Sequence, residues 1–162
     1  MQEAERREGK DVEEIINVLS ILGKDRSLAA CTEFGSAIFA EKPGDGSARE
    51  QAASCQRVLG GRANIVHEYA TKRYRSNCIN WGILPFTLPK DYSFDYEAGN
   101  YIFIPDIRKA IETGQSIIPA SVISGDKIEF ITLYCENLSD KEKQIILNGC
   151  LMNYYAATMK KD

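Results

Sequence analysis

The feature that most constrains this chain is a strand, a glycine turn and a helix written one after another between residues 36 and 61. Ser36 to Ala40 is a short apolar run broken by Pro43, Gly44 and Gly46, and it reads as a buried strand. Ser47 then stands where a helix cap belongs, with Glu50 three residues on, the spacing of a capping box. The helix is expected to run over 47–59 and to stop at Gly60-Gly61. In such an arrangement, free backbone N–H groups and the positive end of the helix dipole face whatever occupies the turn. Gly44 and Gly46 let the backbone come close to a ligand, and the planar fork of Arg49 suits a carboxylate. A phosphate fits the same geometry, but the Lys-Ser or Lys-Thr pair of a P-loop is absent. The plain alternative is a tight turn with a capping serine and a surface arginine.

Helical spacing of Val12, Ile15, Ile16, Leu19 and Leu22 predicts a first helix ended by Gly23. Beyond the turn, the chain reads as a strand over 63–66, a helix over 69–80 stopped by Gly82, and a short piece at Leu84-Pro85-Phe86. A strand over 101–104 and a helix over 107–113 closed by Gly114 follow. Segments 117–123 and 127–133 form two arms of a hairpin around Ser124-Gly125-Asp126. A second capping box, Ser139 with Glu142, opens one last helix to about Tyr155. Strands alternating with helices, then a hairpin and a helix, give an α/β fold with a mixed sheet flanked by helices. Residues 1–24 are a helical lead-in or a linker from an upstream domain, and residues 25–162 are the domain proper.

Charge and cysteine usage narrow the function classes. The net charge of −3 gives no electrostatic reason to expect a nucleic-acid partner. Lys72, Arg73 and Arg75 form the tightest basic cluster and read as a solvated helix face. Five cysteines without a C-x-x-C pair, and a single histidine, argue against a metal site held by this chain alone. The odd thiol count and the polar start fit a reduced, cytoplasmic setting, and no run approaches the length of a membrane span.

The run Gly44-Asp45-Gly46-Ser47-Ala48-Arg49-Glu50-Gln51-Ala52-Ala53, with Arg57 and Leu59-Gly60-Gly61-Arg62-Ala63, resembles the signature of the aconitase and isopropylmalate isomerase superfamily. Tyr69-Ala70, Asn77 and Gly82-Ile83-Leu84-Pro85 are similar to the family's next helix and its exit. The likeness is clear over 36–87 and weaker over 106–155, where Gly149, Leu151, Asn153 and Tyr154 resemble the closing helix. The resemblance implies the swivelling β/β/α domain of that superfamily. It implies a hydro-lyase acting on a hydroxy di- or tricarboxylic acid, with Ser47 as the base and Arg49 gripping a substrate carboxylate. Gly46, Ser47, Ala48 and Arg49 are the substrate-binding set. A [4Fe–4S] cluster is implied on other domains of the polypeptide or on a large partner subunit, so the isolated chain is expected to be inactive. The alternatives are the small subunit of a two-chain isopropylmalate-type isomerase and a non-catalytic anion-binding relative. Ala48 stands where the family has a second serine and Gln51 where it has a histidine, departures that imply either one missing substrate hydrogen bond or a changed substrate.

Other candidates carry less. His67 reads as structural or exposed, Cys55 as a small packing residue, and Arg57 as a partner in a helix salt bridge. Asn77 reads as structural within its helix. The alternation of Tyr92, Phe94, Tyr96, Tyr101 and Phe103 suggests core or interdomain packing rather than base stacking.

Overall fold

Apolar runs and glycine breaks lay out the secondary structure of the computed structural model, which describes residues 2–159. Helix α1 (Gln2–Ile21) leads through a 3-10 turn (Arg26–Cys31) into strand β1 (Ser36–Ala40). Helix α2 (Arg49–Val58), strand β2 (Gly61–Val66), helix α3 (Lys72–Asn80) and strand β3 (Leu84–Thr87) complete the first half. The second half holds β4 (Tyr101–Phe103), α4 (Ile107–Thr113), β5 (Ile117–Ser124), β6 (Lys127–Tyr134), α5 (Asp140–Leu147) and α6 (Leu151–Met159). The six strands form one mixed sheet in the order β1-β2-β3-β6-β5-β4. β1, β2 and β3 run parallel, as crossovers through α2 and α3 require, while β3/β6, β6/β5 and β5/β4 are antiparallel.

Two apolar clusters lock helices to the sheet. Ala63, Ile65, Phe86, Ile118, Ala120, Val122, Ile131 and Leu133 meet Ala110 and Ile111 of α4. Each large side chain here contributes about 1.5–3 kcal/mol on leaving water. Ala53 of α2, Tyr74 and Cys78 of α3 and Ile83 make the second cluster. A buried polar chain joins these helices to β2: Gln56 donates to Asn64 Oδ1, and the Asn64 amide donates to Cys78 Sγ at 3.2 Å and Tyr74 OH at 3.5 Å. These bonds lower the cost of burying the polar groups, although Gln56 Oε1 has no partner among the described residues.

Three expectations need correction. β1 is not buried: it is an edge strand with Ser36, Ala37 and Ile38 exposed. An apolar run of five cannot distinguish an edge from a centre, and only its end is covered, where Phe39 stacks on Phe94 with centroids 4.3 Å apart. α3 begins at Lys72 rather than Tyr69, because Thr71 is its cap and accepts from Tyr74 N–H at 3.3 Å. The last helix is two helices, broken at Gly149 with φ +87°. Gly149 stops α5 by taking this left-handed conformation, and Gly82 packs against its carbonyl so closely that a side chain at Gly82 would overlap it. The hairpin and the Ser139–Glu142 capping box form as expected. α1 buries Ile15, Val18 and Leu19, and its Glu14 accepts from Tyr101 OH at 2.7 Å.

Candidate functional site

The turn between β1 and α2 opens at the carboxyl end of three parallel strands, whose last residues Ala40, Val66 and Thr87 lie in register. In open α/β sheets this end is where ligands settle. Gly44 takes φ +95°, and a Cβ there would meet the Tyr74 ring at 2.5–2.6 Å, so only glycine fits. The Gly44 carbonyl accepts from two directions: Arg49 Nε at 3.0 Å and Thr71 Oγ1 at 3.2 Å. Arg49 Nη2 also donates to the Asp45 carbonyl at 3.3 Å. The helix starts of α2 and α3 thus both grip one turn carbonyl, and that fixes the turn.

Ser47 and Ala48 are exposed and Arg49 is half-buried. Half-burial and two carbonyl anchors pre-orient the guanidinium, and no ion pair among the described residues uses it. The hydrogen bonds to the turn use Nε and Nη2 and leave further N–H donors of the guanidinium unengaged among the described residues. The N–H groups of Gly46, Ser47 and Ala48 meet no backbone acceptor among the described residues. Gly46 has open space where a Cβ would sit. Gly46, Ser47, Ala48 and Arg49 are therefore brought together at the start of α2.

The expected cap is overturned. α2 begins at Arg49 with Ala48 as its cap residue and no side-chain cap bond, so Ser47 lies one position outside. Both halves of the Ser47–Glu50 box are replaced by contacts from α3. The Asn77 amide, with its nitrogen towards the Glu50 carboxylate, donates to Oε2 at 3.2 Å, and its oxygen accepts from Glu50 N–H at 3.1 Å. Trp81 Nε1 donates to Glu50 Oε1 at 2.7 Å. The Ser47 hydroxyl is left without a hydrogen bond to any described residue. Asn77 is structural, as expected, but its partner is α2 rather than its own helix.

The other candidates resolve as follows. His67 sits at the end of β2, edge-on to Phe39 with centroids 5.5 Å apart and a buried, unpartnered Nδ1. Cys55 is exposed, not a packing residue, because α2 turns its Ala53 and Gln56 inward instead. Arg57 makes no ion pair among the described residues; it donates to the Gly61 carbonyl at 3.4 Å. Burial and the neighbouring Arg62 push its ionisation below the ordinary arginine range. Tyr92, Phe94 and Tyr96 pack on the main core. Just past the strand ends, Lys42 Nζ lies 3.2 Å from Glu68 Oε1 and Lys90 Nζ lies 3.2 Å from Glu68 Oε2, a trio that sequence reasoning missed. The two ammoniums hold the Glu68 carboxyl below its usual range. A group of three or more metal-ligating side chains is absent among the described residues. No helix among them is long and apolar enough to cross a membrane.

Comparisons with known proteins bear on the residues of this turn. Residues 35–91 match the family model of the aconitase C-terminal domain. That stretch makes up about a third of the chain. It holds the whole turn, α2, β2, α3 and β3, so the likeness seen in the sequence covers the candidate site. The chain is also similar in structure to 3-isopropylmalate dehydratase (leuD) from Methanocaldococcus jannaschii, at 26% identity and a TM-score of 0.48. That match covers 87% of this chain and 77% of the other. No curated protein matches the chain.

Proposed function

We propose that this chain is the substrate-gripping domain of an aconitase-like hydro-lyase that dehydrates and rehydrates a hydroxy di- or tricarboxylic acid. The observation that carries the reading is Arg49: a guanidinium anchored to the Gly44 and Asp45 carbonyls, without a carboxylate partner among the described residues, beside a turn with free N–H groups. The aconitase C-terminal match over residues 35–91 supports it.

In this reading Arg49 binds a substrate carboxylate through its remaining N–H donors. Ser47 Oγ, as alkoxide, takes the proton from the carbon α to that carboxylate and holds it as a hydroxyl. The electron pair of the broken C–H bond forms the C=C bond and the substrate's β-hydroxyl departs as hydroxide; rehydration reverses each transfer. An alkoxide is a costly species in water, so it needs the N-terminus of α2, the nearby N–H groups and the Arg49 charge. Gly46 and Ala48 contribute backbone donors, and Ala48 leaves out a side-chain hydroxyl that would reach the substrate.

The described residues do not fit a [4Fe–4S] cluster: Cys31 and Cys55 are exposed, Cys78 and Cys135 are buried, and none belongs to a ligand group. In this reading a cluster would sit on other domains of the polypeptide or on a large partner subunit, and no step assigned to this chain passes through it. Residues 1–24 then lead in from elsewhere and 25–162 make up the gripping domain. Five free thiols suit a reducing, cytoplasmic compartment.

The test is an NMR titration with citrate. Perturbation of the amides of residues 44–49 that is lost in Arg49→Ala is the expected result. Equal perturbation in the variant would sink the carboxylate grip.

A further inference from the structure

The three parallel strands end in one row, and charged residues follow each exit: Glu41 and Lys42 after β1, Glu68 after β2 and Lys90 after β3. Each oxygen of the Glu68 carboxylate holds one ammonium at 3.2 Å. Backbone bonds continue the ladder past the strand ends, from Glu68 N–H to Glu41 O at 3.0 Å and from Ala70 N–H to Pro43 O at 2.9 Å. Lys42 is two residues from Gly44, about 7 Å of backbone at most. The Gly44 carbonyl in turn holds Arg49 Nε at 3.0 Å. Three cations, Lys42, Lys90 and Arg49, therefore serve the same end of the sheet, and only the two lysines share a carboxylate.

We propose that Lys42 and Lys90 are specificity-determining residues that read a second carboxylate of the ligand, with Glu68 as the internal carboxylate which that group displaces. The inference rests on the reading of Arg49 as the first carboxylate grip. A monocarboxylate is satisfied at Arg49 alone, whereas a di- or tricarboxylate must place a further charge nearby. The Lys42–Glu68–Lys90 trio already shows which group two ammoniums at this spacing accept. Exchange is cheap because the trio is open to solvent, with Lys42 58%, Lys90 78% and Glu68 44% exposed at the side chain. Exposed ion pairs of this kind are weak and readily traded for another carboxylate.

The experiment is an NMR titration of the chain with citrate and, separately, acetate. It follows the amides of 44–49 and the Glu68 side-chain carboxyl. Citrate should return the Glu68 titration towards the ordinary carboxylate range, and acetate should not. Lys42→Ala and Lys90→Ala should each cut the citrate-over-acetate preference about two- to fivefold. Glu68→Gln should tighten citrate binding. Lys109→Ala, an equal charge change on α4, should alter neither ligand. If the double lysine variant keeps its full citrate preference while Arg49→Ala loses both acids, this inference falls and the Arg49 grip stands. If Arg49→Ala and the lysine variants all bind as the parent does, both fall.

Discussion

Ser47→Ala should leave the stability of this chain almost unchanged, although the sequence places that serine in a capping box. A capping serine contributes about 1 kcal/mol to its helix. Here the Glu50 N–H that Ser47 would serve is bonded to Asn77, and the Glu50 carboxylate is held by Asn77 and Trp81. The loss on Ser47→Ala is therefore expected to stay within about 0.5 kcal/mol, the range of an ordinary surface change. Asn77→Ala removes two contacts. The cap-type bond to Glu50 N–H is worth about 1 kcal/mol. The bond to the partly exposed Glu50 carboxylate is worth about 1 more after discounting for solvent. A loss of about 2 kcal/mol lowers the melting temperature of a chain this size by about 4–8 °C. Once Asn77 is gone, Glu50 N–H has lost its acceptor and Ser47 Oγ is the nearest local replacement. In that background Ser47→Ala should cost about 1 kcal/mol, so the double-mutant cycle should show a coupling of about that size. Urea denaturation of the four proteins measures it. Equal costs of about 1 kcal/mol for Ser47→Ala with and without Asn77 would refute the reasoning, since Ser47 would then be the cap after all, and a negligible cost in both would refute the expected takeover by Ser47.

Other expectations follow from close packing and burial. Gly82→Ala sets a side chain at φ +68° against the Gly149 carbonyl, and it should cost about 3 kcal/mol or more, seen as a large fall in melting temperature or in soluble yield. Burial pushes the Cys78 and Cys135 thiols up to about 11, above their unfolded value of 9.0. The folded chain therefore keeps protons that the unfolded chain releases, and unfolding free energy should fall as pH rises from about 9 towards 11. Urea midpoints that stay flat over this window would contradict it. With a thiol reagent at neutral pH, exposed Cys31 and Cys55 should react quickly, and Cys78 and Cys135 only on unfolding.

The order of elements was legible because its signals are local. Gly114 closes α4 with φ +73°, Ser139 and Glu142 form a true capping box, and the turn at Gly125 sets the hairpin register. What stayed hidden depends on contacts between segments far apart in the chain. The packing of Gly82 against the Gly149 carbonyl at the break between α5 and α6 joins positions 67 apart in the numbering. The edge position of β1 follows from strand order, which five apolar residues do not encode. The Lys42–Glu68–Lys90 trio draws one residue from each of three strand exits, and its members mean nothing singly.

The candidate site shows the same division at closer range. Its residues were readable, because a Gly-x-Gly turn before an arginine in the first helical turn is a local pattern. Its geometry was not, because α3 supplies it: Thr71 holds the Gly44 carbonyl, Tyr74 fills the space beside Gly44, and Asn77 with Trp81 takes the head of α2. The misread cap and the proposed chemistry are then one fact. A Ser47 committed to capping would have its lone pairs occupied by Glu50 N–H and would be a poor proton acceptor. By taking over that role, Asn77 leaves the hydroxyl beside Arg49 unengaged, and it does so from a helix that also fixes the turn. Changes on α3 should therefore reach ligand binding at 44–49 without touching any residue that contacts the ligand.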